Sequence, residues 1–190
     1  MRHVDGQPYV PVGTPHPDYI VPDEIVLESA RDYGLLAPGL RGLDPMCGVG
    51  TIPRVISAAG GHCDGIEIDH EHFRVARSAL PASVTLIEGD CLDLRPSRYD
   101  YIYTSPPFKL FFTPDDGRMA KAFMRMLDPG GHLVIDGADE IDWGSGPRRV
   151  ADAQTRYFTD HGFRHVQTLR FRTNPRHGWD DQFTELLFQR

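Results

Sequence analysis

One stretch restricts the possible folds more than any other: Leu43-Asp44-Pro45-Met46-Cys47-Gly48-Val49-Gly50-Thr51-Ile52. It reads as a buried strand ending in an acid, a tight glycine turn and the first residues of a helix. Folds of the α/β kind bring main chain close to a polar ligand in this way. A second stretch, Thr104-Ser105-Pro106-Pro107-Phe108, closes another β-rich run and is the candidate for chemistry.

The rest of the chain fits around these two stretches. Pro8, Pro11, Pro15 and Pro17 are too closely spaced for a helix, so residues 1–21 are expected to form an extended arm, with Tyr9 and Tyr19 holding it over the body. Pro22-Asp23-Glu24 opens a helix that Gly34 stops. Five β-rich runs follow at 40–43, 62–69, 84–87, 99–103 and 132–136, alternating with helical patterns at 53–59, 71–80 and 116–127. A helical pattern at 148–161 then precedes two closing β-rich runs, 166–173 and 183–188. This alternation predicts an α/β domain over residues 22–190: a mostly parallel seven-stranded sheet with helices on both faces and an antiparallel C-terminal edge hairpin. Ligands of such sheets sit beyond the carboxyl ends of the strands, where both stretches lie.

With 190 residues, 40% of them hydrophobic and 25% charged, the chain has the size and balance of one globular domain. Its apolar runs are short for a membrane span, and Met1-Arg2-His3-Val4-Asp5 lacks the apolar block of a signal peptide; a cytoplasmic protein without membrane attachment is expected. Cys47, Cys63 and Cys91 form no CxxC pair, and the nine histidines show no metal-ligand spacing, so neither a disulfide framework nor a metal site is expected. The net charge of −7 speaks against a polyanionic partner, although Arg148, Arg149, Arg156, Arg164, Arg170, Arg172 and Arg176 place local positive charge in the C-terminal third.

A glycine turn fits many nucleotide sites, and spacing separates them. A dinucleotide site wants a third glycine so that helix and strand pack together under a pyrophosphate, but the residue three after Gly50 is Pro53. No Gly-Lys-Ser/Thr is present either, which removes a P-loop. Asp44, before the turn, repels phosphate and suits a ligand carrying an ammonium group and a sulfonium. Glu67, ending the next β-rich run, is placed to accept from both hydroxyls of a ribose, and Asp90, ending the third, from the exocyclic amine of an adenine. Together the acids outline S-adenosylmethionine, while each alone equally suits the capping of the turn or helix that follows it.

Residues 43–52 resemble the first motif of class I S-adenosylmethionine-dependent methyltransferases, in the Asp-Pro-x-Cys-Gly-x-Gly-Thr form of enzymes that methylate amino groups of nucleic acids. The resemblance spans residues 22–137 and implies a Rossmann-like fold, S-adenosylmethionine as cofactor, and a binding set of Asp44, Met46, Cys47, Gly48, Gly50, Thr51, Glu67, Ile68, Asp90, Cys91 and Ser105. By that pattern Asp44, Gly48 and Gly50 line the methionine part, Glu67 holds the ribose, and Asp90 with the Cys91 main chain meets the adenine. The length of 190 residues departs from the pattern in leaving no room for a separate target-recognition or RNA-binding domain.

Thr104–Phe108 resembles the (Asp/Asn/Ser)-Pro-Pro-(Tyr/Phe/Trp) motif of enzymes that methylate a nitrogen conjugated to a planar system, which makes Ser105, Pro106, Pro107 and Phe108 the expected catalytic residues. Such a nitrogen has a delocalised lone pair and must be rotated and held before it attacks the methyl carbon in line. Ser105 Oγ and the Pro106 carbonyl are acceptors for its two N–H hydrogens, the paired prolines make the segment rigid, and Phe108 offers a face to the planar acceptor and to its developing positive charge. The serine in place of Asp or Asn leaves the exact nitrogen open: it is familiar in enzymes that resemble cytosine-N4 methyltransferases, but it also occurs where the substrate is not a base. Tyr19, Lys109, Phe111, Trp143 and Trp179 are candidates for the substrate wall, with Asp139, Glu140 and Asp142 suited to a cationic acceptor. The expected function is N-methylation of an amino, amide or guanidino nitrogen of a small molecule. The alternatives are methylation of a DNA or RNA base and non-catalytic regulation by S-adenosylmethionine binding.

Overall fold

The computed structural model describes residues 21–94, 98–107, 116–138, 140–142, 147–172 and 182–190. The arm up to residue 20, Phe108, and the substrate-wall candidates Tyr19, Lys109, Phe111, Trp143 and Trp179 lie outside the described residues. The elements run α1 (Asp23–Asp32), β1 (Gly42–Asp44), α2 (Thr51–Ala58), β2 (Cys63–Glu67), α3 (His70–Ala79), β3 (Leu86–Glu88) and β4 (Tyr99–Thr104). They continue with α4 (Arg118–Met126), β5 (Leu127–Ala138), β6 (Glu140–Asp142), β7 (Pro147–Arg149), α5 (Val150–Asp160), β8 (Arg164–Arg172) and β9 (Gln182–Gln189).

Seven strands form one sheet in the order β3-β2-β1-β4-β5-β9-β8, parallel except for β9, which runs antiparallel to both of its neighbours. The expected Rossmann-like sheet is present. Its last strand, however, is inserted between β5 and β8, so β8 alone forms that edge. The order reverses between β1 and β4, and the crevice at such a reversal is where ligands of open α/β sheets bind.

Alternation along the strands sorts the core into two layers. Leu43, Ile66, Ile102, Leu133, Ile135, Leu186 and Phe188 pack with Phe123 of α4 and Phe158 of α5. Tyr101, Tyr103, Val134 and Leu187 pack on the opposite face with Val26 of α1 and Ile56 of α2. Val21, at the end of the expected arm, is buried in this second layer.

Of the boundaries that depart from the expected ones, three have local reasons. The first strand starts at Gly42 rather than Leu40, because the Leu40 N–H closes a turn onto the Ala37 carbonyl. The first helix stops at Asp32, two residues before Gly34, with Tyr33 as its C-cap. The expected helix from Arg148 starts at Val150, since Pro147–Arg149 first pairs with Glu140–Asp142 in a two-stranded ribbon that hydrophobic periodicity did not reveal. No helix among the described residues is long and apolar enough to cross a membrane.

Candidate functional site

The cleft beyond the strand ends has two halves. On the β1–β3 side, the turn after Asp44 is held by its own main chain: the Cys47 N–H donates to the Ile66 carbonyl at 2.9 Å and the Gly50 N–H to the Cys47 carbonyl at 2.8 Å. Gly48 and Gly50 adopt φ of +53° and +85°, a region that side-chain-bearing residues rarely enter. A Cβ on Gly48 would meet nothing within 4 Å, so this glycine opens onto free space, as a cradle for a ligand requires. Pro53 occupies the first turn of α2, where a missing N–H is harmless.

Each strand-end acid on this side fastens main chain. Asp44 Oδ1 accepts from the Met46 N–H at 3.1 Å, and Asp90 Oδ1 from the Leu92 N–H at 2.8 Å. Glu67 does most: its two oxygens accept from the Gly48 and Asp69 N–H groups, both at 2.7 Å, while its carbonyl accepts from the Gly89 N–H at 2.8 Å. One residue therefore ties together the turns after β1 and β2 through its carboxylate and the turn after β3 through its carbonyl. Ile68, next to it, is 66% exposed, an apolar surface beside the acid proposed for a ribose. Asp44 is 2% exposed and Glu67 7%. Acidic walls, an open glycine and an apolar side chain fit a cationic ligand with an apolar planar end. They do not fit a polyphosphate.

On the other side, β4 pairs with β1 and ends in Thr104, so the Ser105-Pro106-Pro107 segment leaves the sheet next to the Asp44 turn. Ser105 is half-buried, Pro106 buried and Pro107 exposed. The parallel register pairs Thr104 with Ile135, and one step further Ser105 meets Asp136; across β5, Asp136 is paired with Glu185 of β9. Alternation places Asp44, Tyr103, Asp136 and Glu185 on the α1–α2 face. Asp136 and Glu185 are fully buried. The Tyr103 hydroxyl donates to Glu185 Oε1, but Glu185 Oε2, both Asp136 oxygens and the Thr104 and Thr184 hydroxyls find no hydrogen-bond partner among the described residues.

Burial dominates the electrostatics of these acids. It pushes the Asp44 carboxyl up to about 7; the nearby Thr104 hydroxyl and the Met46 N–H oppose the rise, and the charges of Asp136 and Glu67 add to it. The Asp136 carboxyl is likewise pushed up to about 7, with the Ser105 hydroxyl close enough to favour the charged form although it makes no well-formed bond. Glu185 rises to about 8 through burial and then the Asp136 charge, opposed by the Ser29 and Tyr103 hydroxyls. Cys47, Cys63 and Cys91 are buried and their thiols pushed up, so none is an activated nucleophile.

The structure thus brings Asp44, Met46, Cys47, Gly48, Gly50, Thr51, Glu67, Ile68, Asp90 and Cys91 to the strand ends of one half-cleft and Ser105, Pro106 and Pro107 to those of the other. Asp136 and Glu185 were not anticipated. Two signals were available: Asp136 is another acid closing an apolar run, and Glu185 is a charge within Phe183–Phe188 that a strand buried on both faces has no ordinary use for.

Residues 43–131, which contain the glycine turn, the three strand-end acids and the Ser-Pro-Pro segment, match the family model of a methyltransferase domain. No curated protein matches the sequence. Among solved structures, the chain is similar to an S-adenosylmethionine-dependent methyltransferase from Mesorhizobium loti, at 19% identity and a TM-score of 0.63 over 86% of this chain and 96% of that one. It is also similar to the glycopeptide N-methyltransferase MtfA complexed with sinefungin, at 16% identity and 0.69 over 94% and 99%, a protein also seen with S-adenosylhomocysteine. A third similarity is to the [4+2]-cyclase SpnF, at 16% identity and 0.68 over 88% and 80%. At such identities the likeness shows the Rossmann-like fold, and the cyclase among these structures shows that the fold does not fix the reaction.

Proposed function

We propose that residues 43–131, which match the model of a methyltransferase domain, bind S-adenosylmethionine, and that the protein transfers the methyl group to a planar amino, amide or guanidino nitrogen of a small molecule. The observation that carries this reading is the position of Ser105-Pro106-Pro107. It leaves β4 beside the Asp44 turn with Ser105 half-buried, so an acceptor held there lies next to the methyl donor. In this reading Asp44, Gly48 and Gly50 line the methionine portion, Glu67 the ribose, and Ile68, Asp90 and Cys91 the adenine. Ser105 Oγ and the Pro106 carbonyl receive the N–H hydrogens of the acceptor, Phe108 stacks on it, and residues 1–21 form an arm over the active site of a methyltransferase domain spanning 22–190.

A small acceptor is favoured over a nucleic acid by charge. Asp44, Glu67, Asp136 and Glu185 are buried at the cleft, and among the described residues no Lys, Arg or His forms a salt bridge with any of them. A polyanion approaching a chain of net charge −7 meets repulsion. Calorimetry with S-adenosylmethionine, S-adenosylhomocysteine and NAD, followed by a methyl-transfer screen over small amines, amides and guanidines, tests the reading. Binding of both sulfur compounds with turnover of a small nitrogen acceptor is expected. Binding without turnover of any acceptor would make the protein a non-catalytic regulator, and salt-sensitive binding of generic DNA or RNA would restore the base as acceptor.

A further inference from the structure

We propose that Asp136 is the proton-accepting and positioning residue behind Ser105: Ser105 donates its hydroxyl hydrogen to the Asp136 carboxylate and thereby turns its oxygen lone pairs toward the acceptor nitrogen. The inference rests on the N-methyltransferase reading and deepens it. Three features of the molecule support it.

The first is register. Thr104 pairs with Ile135 in parallel β4 and β5, which sets Ser105 and Asp136 side by side at the strand ends, and the antiparallel β5–β9 pairing sets Glu185 directly beyond Asp136. The second is burial without satisfaction. Asp136 is fully buried with both oxygens lacking a hydrogen-bond partner among the described residues, a condition costly enough that it wants a function. The third is access: Ser105 is half-buried while Asp136 is fully buried, so the hydroxyl stands nearer the surface than the acid.

The groups facing this row come from every neighbouring element. Asp44 comes from β1, Tyr103 and, beside Asp44, Thr104 from β4, and Glu185 from β9; Glu28, Ser29, Asp32 and Tyr33 lie towards it from α1, on the Glu185 side. Tyr103 donates to Glu185 rather than to Asp136, which leaves the Asp136 oxygens free for Ser105. Two carboxyls directly opposite on adjacent strands do not both ionise readily, so the pair holds a proton near neutrality and titrates as a unit.

The chemistry balances. The nitrogen lone pair forms the new N–C bond while the C–S bond breaks, its electron pair remaining on sulfur as a neutral thioether. The nitrogen, now positive, gives an N–H proton to Ser105 Oγ as the serine proton passes to Asp136, and the proton later leaves Asp136 through the Ser105 hydroxyl to water. A serine in place of the Asp or Asn of the motif thereby acquires the acidity sink it lacks.

Titration and kinetics test this separately. In the free protein, carboxyl-carbon NMR of labelled aspartate should show Asp136 titrating near neutrality, and Ser105→Ala should move that titration upward because the hydroxyl favours the charged form. With an acceptor from the screen, Asp136→Asn should lower kcat about 100-fold, leave the affinity for S-adenosylmethionine within twofold, and abolish the loss of kcat at low pH. The double variant Ser105→Ala/Asp136→Asn should be no slower than Ser105→Ala alone, and Ser105→Thr, which keeps the hydroxyl, should retain most of the rate. An Asp136 titration unmoved by Ser105→Ala, or kinetic effects that add in the double variant, overturns the relay. A shifted titration with no turnover of any acceptor instead brings down the N-methyltransferase reading, and the relay with it.

Discussion

At the ends of β1, β2 and β3 each strand-end acid accepts from the N–H groups of a neighbouring turn, whereas among the described residues Asp136 of β5 and Glu185 of β9 accept from no main-chain group. Glu67 has both oxygens engaged by backbone at 2.7 Å; Asp136 has neither oxygen engaged. The difference teaches what each half is built for. Acids satisfied by their own loops make a rigid receptor whose shape exists before the ligand arrives, which suits an invariant cofactor. Asp136, buried with neither oxygen hydrogen-bonded among the described residues, is poorly held in the charged state, which suits a place where a proton must be picked up and released.

The sharpest break between the halves is expected from paired substitutions. Asp44→Ala should abolish measurable binding of S-adenosylmethionine, and Glu67→Ala should weaken it more than about 100-fold. Glu67→Ala should also cost roughly 3 kcal/mol or more of stability, because the Gly48 and Asp69 N–H groups lose a charged acceptor. Calorimetry and thermal unfolding read both. Ser105→Ala should leave cofactor affinity within twofold and lower kcat by roughly 10- to 100-fold. Equal loss of cofactor binding at Asp44 and Ser105 would erase the division of labour between the two halves.

The same division explains what could be read before the structure was known. The cofactor half is local: a strand, an acid, a glycine turn and a helix follow one another within Leu43–Ile52, and Glu67 and Asp90 obey the same strand-end rule. The alternation of β and helical patterns also carried the sheet and its antiparallel last strand. The acid row of the other half is not local. Asp136 and Glu185 meet only because β9 enters the sheet between β5 and β8, a register that no spacing in the sequence encodes. The ribbon of β6 and β7 escaped for a similar reason, since each strand is three residues long and too short for a period to show.

Stability against pH compares the halves without any ligand. The native chain keeps Asp44 and Asp136 protonated up to about 7 and Glu185 up to about 8, while the unfolded chain releases the same protons in the ordinary carboxyl range. Between those limits the native state binds more protons. The slope of stability with pH is then negative: stability should fall as pH rises from about 5 to about 8 and level off beyond, by roughly 2 kcal/mol or more. Scanning calorimetry across that range checks it, and Glu185→Gln should flatten the slope. A stability that instead rises with pH would mean that Asp136 and Glu185 are ionised in the fold.

The smallest expected effect belongs to Ile68. Single exposed aliphatic side chains are common, so its 66% exposure alone proves nothing. What singles it out is its position directly after Glu67, whose oxygens are fixed on the turns around it. If an adenine covers this side chain, Ile68→Ser removes about 1 kcal/mol of apolar contact, so affinity for S-adenosylmethionine should fall about 3- to 10-fold. Unfolding should be unchanged, because the side chain is already in water in the free protein. Affinity for methionine alone should also be unchanged, since that fragment lacks the adenine. A loss shared by both ligands would place Ile68 against the methionine end and reverse the direction in which the cofactor lies across the strand ends.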